Sequence, residues 1–372
     1  MKLRSALVAT ALLLSAQSAN AGAPQVTGRA YLVENGVTGE VLARYHDHER
    51  VPIASITKLM TVLVALQHVR LDDVVTVSKQ AAAVGESSIY LKKGDRLTVR
   101  ELVEAALIQS ANDAAVALAE YVGGSQSAFV AMMNAEAQKL GLKDTHFANP
   151  DGLDAPGHYS SAHDVTRLAR IAMKNPVVRG VVRRTTASIS GGRTLTTWND
   201  LLGTYPGVFG VKTGHTAAAG WSEVAAARGN GVTIYATLLG GATRDGRNAD
   251  LAALLTWGLS RYRTVHTISP GRVYATVTAP YGRRPLQLVA AGQDTRLVRV
   301  DRTLVERVVA PATVSLPVRK GQRLGAVSVY AGTRLLTSRP LVASRTIAKP
   351  GAVGRTEWYA GRALHHVAGW FS

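Results

Sequence analysis

The chain of 372 residues contains no cysteine. Disulfide bonds, thiol catalysis and cysteine metal sites are therefore excluded. Aromatic residues make up only 6% of the chain, and we find no run of interleaved aromatic and basic residues of the kind that binds nucleic acid. Acidic residues are also scarce, because 25 Asp and Glu stand against 43 Lys and Arg, which gives a formal net charge of +18. Such a chain is expected to favour anionic partners.

No apolar run is long enough to span a bilayer as a permanent helix. One run, Ala6 to Leu14, follows Lys2 and Arg4 and precedes Ala19-Asn20-Ala21, which has the A-x-A form of a cleavage site. This order predicts a signal peptide over residues 1–21. We therefore expect the chain to be secreted across the cytoplasmic membrane and to act on its extracytoplasmic face.

The rest of the chain divides by pattern and charge. Residues 22–263 contain a strand hairpin, a cluster of helices, two buried strands and a closing helix predicted over residues 248–262, which indicates an α/β domain with a sheet flanked by helices. Residues 264–350 contain short strand runs between Gly and Pro turns, which predict a small all-β domain. This stretch carries 14 Lys or Arg but only three acidic residues. Its basic surface suits anionic lipid or wall polymer, although solvated surface charge explains it equally well.

The motif Ser55-Ile-Thr-Lys58 opens an almost wholly apolar helical segment. A serine hydroxyl needs an adjacent base to be a nucleophile at neutral pH. Residues three apart on a helix share a face, so the Lys58 amine can reach the Ser55 oxygen. Burial among apolar neighbours lowers a lysine pKa and favours the neutral form that accepts a proton. The alternative is that Ser55 only caps the helix and Lys58 is a surface charge.

Two further motifs follow in order, Ser110-Ala-Asn112 and Lys212-Thr-Gly214. The polar residues Gln109–Asp113 predict a break in the helical segment from Val99 to Val122, with capping side chains at the start of a second helix. Each motif is weak alone, since Ser110 and Asn112 could be only helix caps and Lys212-Thr-Gly214 an ordinary turn after a strand. The set of three, in this order, is that of penicillin-binding proteins and class A β-lactamases. The longer stretches around the motifs make residues 26–263 resemble the serine-type D-alanyl-D-alanine carboxypeptidases. These stretches are Ala54–Thr61, Gln109–Ala114, Leu140–Phe147, Asp151–Ser160 and Gly210–Thr216.

The resemblance implies a β-lactamase/transpeptidase-like fold, with an antiparallel sheet, flanking helices and a helical cluster. It implies a substrate, the peptidoglycan stem peptide ending in D-Ala-D-Ala, and inhibition by β-lactam antibiotics. Ser55, Lys58 and Ser110 are the expected catalytic residues. The expected substrate-binding residues are Asn112, Lys212, Thr213, Gly214, His215 and Arg247.

Within this set, Ser110 would relay a proton to the leaving amine and Asn112 would bind the substrate amide. Lys212 and Thr213 would receive a substrate carboxylate, and Gly214 would allow the backbone to approach the ligand closely. Backbone N–H groups of Ser55 and His215 would form the oxyanion hole. Arg247 matches a family arginine near the terminal carboxylate, or it is one more surface arginine.

Other functions of the same fold stay open at this point. Class A β-lactamases place a glutamate on a loop between the second and third motifs to activate water. The corresponding loop here, residues 147–158, has no glutamate, but it contains Asp151 and Asp154. A D,D-endopeptidase and a non-catalytic wall-binding protein are the further alternatives.

Histidines do not predict a metal site, although His158, His163 and Asp164 lie close together in the sequence. No H-x-x-x-H or H-E-x-x-H pattern accompanies them. We expect His158 and Asp164 to brace the loop beside the active site. Neither a metal nor another cofactor is implied.

The C-terminal tail, residues 351–372, has the period of an amphipathic helix. We expect this tail, together with the basic domain before it, to bind an anionic membrane surface. Packing of the tail against its own β domain is the alternative. The predicted apolar face consists of Tyr359, Ala360, Ala363, Leu364, Val367, Trp370 and Phe371.

Overall fold

The structure, a computed structural model, describes residues 5–10 and 22–368, with side chains described for residues 22–360. The chain forms two compact units. The larger unit comprises Gly22–Ser260, and the smaller unit comprises Arg261–Ser372 with the N-terminal segment Met1–Ala21. The first strand, β1, is Ser5–Thr10 and belongs to the smaller unit.

The larger unit is built around an antiparallel sheet of five strands, in the order β3-β2-β10-β9-β8. Ala225 and Ala226 are adjacent in β9, so their side chains point to opposite faces, and both are fully buried. The sheet is therefore covered on both faces. The strands of the unit are β2 (Ala30–Asn35), β3 (Val41–Tyr45), β4 (Val74–Thr76), β5 (Arg96–Thr98), β6 (Thr186–Ile189), β7 (Arg193–Thr196), β8 (Val208–Thr216), β9 (Gly220–Gly229) and β10 (Val232–Gly241).

Helices supply the rest of the larger unit. Helices α6 and α8 pack against the sheet, and α1, α4 and α5 pack against one another in a separate helical layer. The helices are α1 (Lys58–His68), α2 (Lys79–Ala82), α3 (Val99–Glu104), α4 (Asn112–Gly123), α5 (Gln126–Lys139), α6 (Ala162–Ala172), α7 (Pro176–Val181) and α8 (Arg244–Ser260). Helix α1 is apolar because it lies in the core: every residue from Lys58 to Ala65 is buried.

The helical segment predicted to break near Ser110 does so in the structure. Helix α3 begins with a capping box between Thr98 and Glu101 and continues as a π-helical turn, Ala105–Gln109. Ser110 then adopts a left-handed conformation, with φ of 65°, and α4 begins at Asn112. A π-helical turn and a left-handed residue together redirect the chain, and both features recur at functional sites.

The smaller unit is largely β structure. Its main sheet has the order β1-β15-β16-β17-β13-β12, and β11 pairs with β14 in a separate ribbon. The strands are β11 (Tyr262–Ile268), β12 (Val273–Val277), β13 (Leu286–Ala290), β14 (Asp294–Arg299), β15 (Leu304–Pro311), β16 (Arg323–Ala331) and β17 (Arg334–Ala343). Strand β11 differs from the prediction of a helix as far as Tyr262, because α8 ends at Ser260 and Tyr262 already pairs with Arg299.

The two predicted terminal segments are only partly described. Residues 1–4 and 11–21 of the predicted signal peptide lie outside the described residues, whereas β1 pairs with β15. The tail forms helix α9 (Ala352–Ala368), and residues 369–372 lie outside the described residues. Across the described ranges, 5–10 and 22–368, no helix combines the length and the apolar character needed to cross a membrane.

Candidate active site

Ser55 and Lys58 lie at the junction of two helical turns. Ala54–Thr57 form a 3₁₀ turn, and α1 begins at Lys58. Side chains three residues apart are nearly eclipsed in 3₁₀ geometry, which brings these two groups together. Lys58 Nζ lies 2.7 Å from Ser55 Oγ. The sequence predicted this pairing from spacing alone, and Lys58 is fully buried and not a surface charge.

The Lys58 amine has two other neighbours. It lies 2.7 Å from Asn112 Oδ1 and 2.6 Å from the backbone oxygen of Asp151. No carboxylate of the described residues forms an ion pair with it. Burial lowers the pKa of Lys58 to about 7, against the opposing influence of Asp151 and Asp113. A substantial fraction of Lys58 is therefore neutral at pH 7 and can accept a proton.

The side chains of Ser110 and Asn112 do not cap the N-terminus of α4. The N-cap of α4 is Ala111, and no side chain accepts a hydrogen bond there. Ser110 Oγ instead accepts a hydrogen bond of 2.8 Å from Lys212 Nζ, while Asn112 faces Lys58. The left-handed backbone of Ser110 therefore places two polar side chains from one turn beside two different lysines.

Lys212, Thr213 and Gly214 lie in β8. Lys212 is buried, and burial together with the nearby charge of Lys58 lowers its pKa well below the usual value. A Cβ atom added to Gly214 would lie only 2.7 Å from the backbone oxygen of Ile53. The close approach predicted for Gly214 is thus made to the protein's own backbone, just before Ser55. That contact holds the third motif against the first.

Two cavities, of about 340 and 370 Å³, are lined by residues of this region, Ala54 in the first and Ser55 and Gly214 in the second. In the second cavity, His215 stacks on Trp221 with ring centres 4.0 Å apart. Glu86 and Trp198 also line it and were not predicted from the sequence. The full lining is Ser55, Glu86, Ser87, Ser110, Trp198, Thr213, Gly214, His215, Trp221 and Arg247.

Arg247 is buried at the wall of this cavity and is not a surface arginine. Its Nη2 atom donates to Asn248 Oδ1 at 2.6 Å and to Asp200 Oδ2 at 3.2 Å. Its Nε atom lies 3.2 Å from Glu223 Oε2. Sequence reasoning missed both acids. The one available signal for Glu223 was an acidic residue directly before the apolar run that starts at Val224.

Both aspartates of the loop of residues 147–158 accept hydrogen bonds. Asp151 Oδ1 accepts a hydrogen bond from the backbone of Leu153. Asp154 accepts hydrogen bonds from Thr216 Oγ1 at 2.6 Å and from the backbone of Ala218 at 3.1 Å. Asp154 therefore stabilises loop and strand conformation. Asp151 has one carboxylate oxygen bound within the loop, and its charge acts on Lys58.

His158 and Asp164 brace this region, as expected. His158 Nδ1 accepts a hydrogen bond from the backbone of Ala148, so its Nε2 carries the proton and donates to Thr57 Oγ1 at 2.7 Å. Burial lowers the pKa of His158 to about 4, which keeps it neutral. Asp164 accepts from the backbone of Asp144 and the hydroxyl of Thr145. Among the residues whose side chains are described, no His, Asp and Glu cluster could hold a metal.

This arrangement defines a class of enzyme. A serine hydroxyl is paired with a buried lysine of lowered pKa, a second buried lysine contacts Ser110, and an arginine lines the same cavity as Ser55. It is the arrangement of an acyl-transfer enzyme that uses serine as nucleophile and lysine as base.

Comparison with known proteins agrees with this class. The profile of the D-alanyl-D-alanine carboxypeptidase family, peptidase S11, matches residues 17–243. The chain is 33% identical to D-alanyl-D-alanine carboxypeptidase DacC of Escherichia coli, over 94% of this chain and 92% of that protein. It is 32% identical to the carboxypeptidase DacF of Bacillus subtilis, over 87% and 86%.

Solved structures give the same result. Penicillin binding protein 6B of Escherichia coli superposes with a TM-score of 0.65 at 30% identity, covering 88% of this chain and 98% of that one. The chain belongs to the D-alanyl-D-alanine carboxypeptidase family. The predicted fold, an antiparallel sheet with flanking helices followed by an all-β region, is confirmed.

Proposed function

We propose that this protein is a serine D-Ala-D-Ala carboxypeptidase that removes the terminal D-alanine from peptidoglycan stem peptides through an acyl-enzyme on Ser55. The observation that carries the proposal is the contact of 2.7 Å between Ser55 Oγ and the amine of Lys58, which is fully buried. Such an amine is a base matched to neutral pH. The names of the relatives describe the same reaction.

In the acylation step, Ser55 Oγ attacks the carbonyl carbon of the penultimate D-alanine and its proton moves to Lys58 Nζ. Backbone N–H groups of Ser55 and His215 stabilise the resulting oxyanion. The C–N bond then breaks, and the proton held on Lys58 passes through Ser110 to the departing nitrogen, which leaves as free D-alanine. Lys58 is then neutral again. The hydrogen bond of 2.8 Å from Lys212 positions the Ser110 hydroxyl for this relay.

In the deacylation step, water attacks the ester on Ser55 and Lys58 removes its proton. The ester C–O bond breaks, Ser55 regains a proton, and the shortened peptide is released. Lys58 is the candidate base because both aspartates of the loop already accept hydrogen bonds, Asp151 from Leu153 and Asp154 from Thr216 of β8. This same observation disfavours a β-lactamase of the class A type, which needs a carboxylate for its water.

The substrate is oriented by groups around the cavity. Lys212, Thr213 and Arg247 receive its terminal carboxylate, for which a guanidinium and an ammonium are suited. Asn112 binds the substrate amide. β-Lactams would acylate Ser55 by the same attack, with the ring amide in place of the peptide bond.

The decisive experiment is mass spectrometry after incubation with penicillin, with the Ser55→Ala variant alongside. We expect the wild type to gain one penicilloyl group and the variant to gain none. An unmodified wild type would contradict the proposal.

A second experiment separates a carboxypeptidase from a β-lactamase. Release of D-alanine from a D-Ala-D-Ala peptide indicates a carboxypeptidase, whereas rapid turnover of a cephalosporin indicates a β-lactamase. A cross-linked peptide substrate tests for D,D-endopeptidase activity.

We also propose that the protein acts outside the cytoplasmic membrane, bound to its outer surface through α9 and the basic smaller unit. The predicted signal peptide and the 14 basic residues of 264–350 support this location. A competing arrangement has some support, because Trp358 of α9 packs edge-on against Tyr281 of the same unit, with ring centres 5.5 Å apart. Tyr359 is nonetheless largely exposed.

Deletion of residues 356–372 tests the membrane proposal. We expect the truncated protein to lose binding to anionic vesicles and to retain hydrolysis of a soluble peptide. Vesicle binding that survives the deletion and the replacement of basic residues in 264–350 would contradict it.

A further inference from the structure

Glu223 is a fully buried acid in β9, the strand next to the edge strand β8 of the five-stranded sheet. Among the described residues, neither of its carboxylate oxygens accepts a hydrogen bond. Its nearest charged neighbour is Arg247, whose Nε lies 3.2 Å from Oε2 without the alignment of a hydrogen bond. Buried carboxylates are costly when they lack hydrogen bonds, so such a group calls for a functional explanation.

The surroundings of Glu223 are unequal on its two sides. Strand β9 pairs it with the apolar Leu238 of β10 on one side and with Thr213 of β8 on the other. The charged groups that act on it are Lys212 from β8, Arg247 and Arg244 from α8, and Asp200 from the segment before β8. Glu223 thus lies directly behind the residues proposed to receive the substrate carboxylate.

Arg247 is shared between two acids. Asp200 contacts its Nη2 atom, and Glu223 approaches its Nε atom. Asp200 is itself held by Arg244 through two hydrogen bonds, of 2.7 and 2.5 Å. When both acids are ionised, their charges offset the charge that Arg247 offers to a ligand. Removing one negative charge would strengthen the attraction of the site for an anion.

We propose that Glu223 is a positioning residue whose protonation state controls how strongly Arg247 binds the carboxylate of the substrate. The inference rests on the proposed function, in which Arg247 and Lys212 receive that carboxylate. With Glu223 protonated, Arg247 keeps its place but its charge is free to act on the ligand. With Glu223 ionised, the substrate carboxylate competes with a resident one.

The electrostatics give the direction of the effect. Burial raises the pKa of Glu223 to about 7, against the opposing influence of Arg247. Below pH 7 the group is mainly neutral, and above pH 7 it is mainly ionised. Affinity for a carboxylate ligand should therefore fall as the pH rises through 7. Hydrogen bonds from Arg244 lower the pKa of Asp200, so Asp200 stays ionised over this range and contributes a constant charge.

The test measures binding in the Ser55→Ala background, where no acylation occurs. The dissociation constant of an acylated D-Ala-D-Ala peptide is determined by calorimetry at pH 6 and pH 8. We expect it to rise about fivefold, which corresponds to a shift of one unit in the Glu223 pKa on binding. Adding Glu223→Gln should remove this rise, because the amide fills the same space without titrating.

Two controls separate Glu223 from its neighbours. Asp200→Asn in the same background should change affinity by a similar factor at both pH values and leave the pH dependence in place. The same peptide with a terminal carboxamide should bind with little pH dependence, because it has no carboxylate to compete. This second control uses the Ser55→Ala protein alone and does not depend on the folding of a Glu223 variant.

Three results would overturn the inference: an unchanged pH dependence in Glu223→Gln, its loss in Asp200→Asn, or an equal pH dependence for the carboxamide. In the last case Lys58 or Lys212 would be the titrating group. Failure of the proposed function is a separate observation, since it appears as a wild type that penicillin does not acylate.

Discussion

Buried charges at the candidate active site of the larger unit and buried acids of the smaller unit differ in how completely their charges are paired. In the smaller unit, the buried acids Asp294 and Glu306 each accept hydrogen bonds from arginines at the surface. Arg272 contacts Glu306 at 2.9 Å, and Arg296 and Arg339 contact Asp294 at 2.9 and 2.7 Å. In the larger unit, Lys58, Lys212, Glu223 and Arg247 are all buried, yet their charges are only partly matched.

The difference shows that burial alone does not identify a functional group. Asp294 is nearly as buried as Lys58, but its partners remain partly in water and complete its hydrogen bonds. Lys58 has only neutral oxygen partners, and Glu223 has no hydrogen bond among the described residues. Incompletely matched charges titrate near neutral pH, which is the property that acid and base catalysis requires.

The largest expected effect is on acylation of Ser55, when the buried amine of Lys58 is removed. Lys58→Met keeps the length of the side chain, so the core around α1 should stay filled. Acylation of Ser55 by penicillin should fall by about a thousandfold or more, because the general base is lost. The measurement is the acylation rate in mass spectrometry. Arg296→Met in the smaller unit is the matched control and should leave that rate unchanged. If the Lys58→Met protein were still acylated at a tenth of the normal rate, the incompletely paired charge of Lys58 would not be essential, and the comparison between the units would fail.

The second-largest effect is a loss of unfolding free energy caused by steric overlap at Gly152. A Cβ atom added to Gly152, which has φ of 89°, would lie 2.0 Å from the backbone oxygen of Ala54, next to Ser55. Gly152→Ala should cost about 3 to 5 kcal/mol in unfolding free energy from overlap and backbone strain together.

Gly271 in the smaller unit provides the control for this substitution. It has φ of 83° and nothing within 4 Å of an added Cβ. Gly271→Ala should therefore cost only about 1 kcal/mol, from backbone strain alone. Urea unfolding of both variants measures the difference. Equal losses would mean that the contact with Ala54 does not constrain the larger unit.

The pH dependence of acylation gives a smaller effect. The pKa of Lys58 is about 7, and only the neutral amine can accept the Ser55 proton. At saturating penicillin, the acylation rate should rise about tenfold from pH 6 to pH 8, following the neutral fraction of a single base. Rapid chemical quenching followed by mass spectrometry measures the acylation rate at each pH. A rate that is flat or falls over this range would assign the base to another group.

The smallest effect is expected at a matched charge. Arg339→Gln removes one partner of Asp294 and leaves Arg296 in place. Because Arg339 is partly exposed, unfolding free energy should change by less than about 1 kcal/mol. Urea unfolding measures this, with penicillin acylation as a second readout. A loss above about 3 kcal/mol would show that this acid depends on its partners as strongly as a buried ion pair does.

Several features of the site were predictable because they are local. The spacing of Ser55 and Lys58 determines their contact on any helical turn. The polar residues at Ser110 and Asn112 correctly predicted a break between two helical segments. The break itself had a different cause, since a π-helical turn and a left-handed Ser110 replaced the expected caps.

Other features were not predictable because they join distant segments. Lys212 and Ser110 are 102 residues apart, and the sequence does not show that one hydroxyl and one amine will meet. Asp200, Glu223 and Arg247 come from a loop, a strand and a helix. Glu223 lies immediately before an apolar run, a position where an acid usually marks the exposed end of a strand.

The sequence by itself determined the contact between Ser55 and Lys58, the order of the three motifs and the family to which they belong. Short-range geometry makes the Ser55–Lys58 contact independent of the rest of the chain. Only the tertiary structure decided which charges are buried and which are matched. Burial and pairing depend on how the sheet, α1 and α8 pack together, and the pKa values of Lys58, Lys212 and Glu223 follow from that packing.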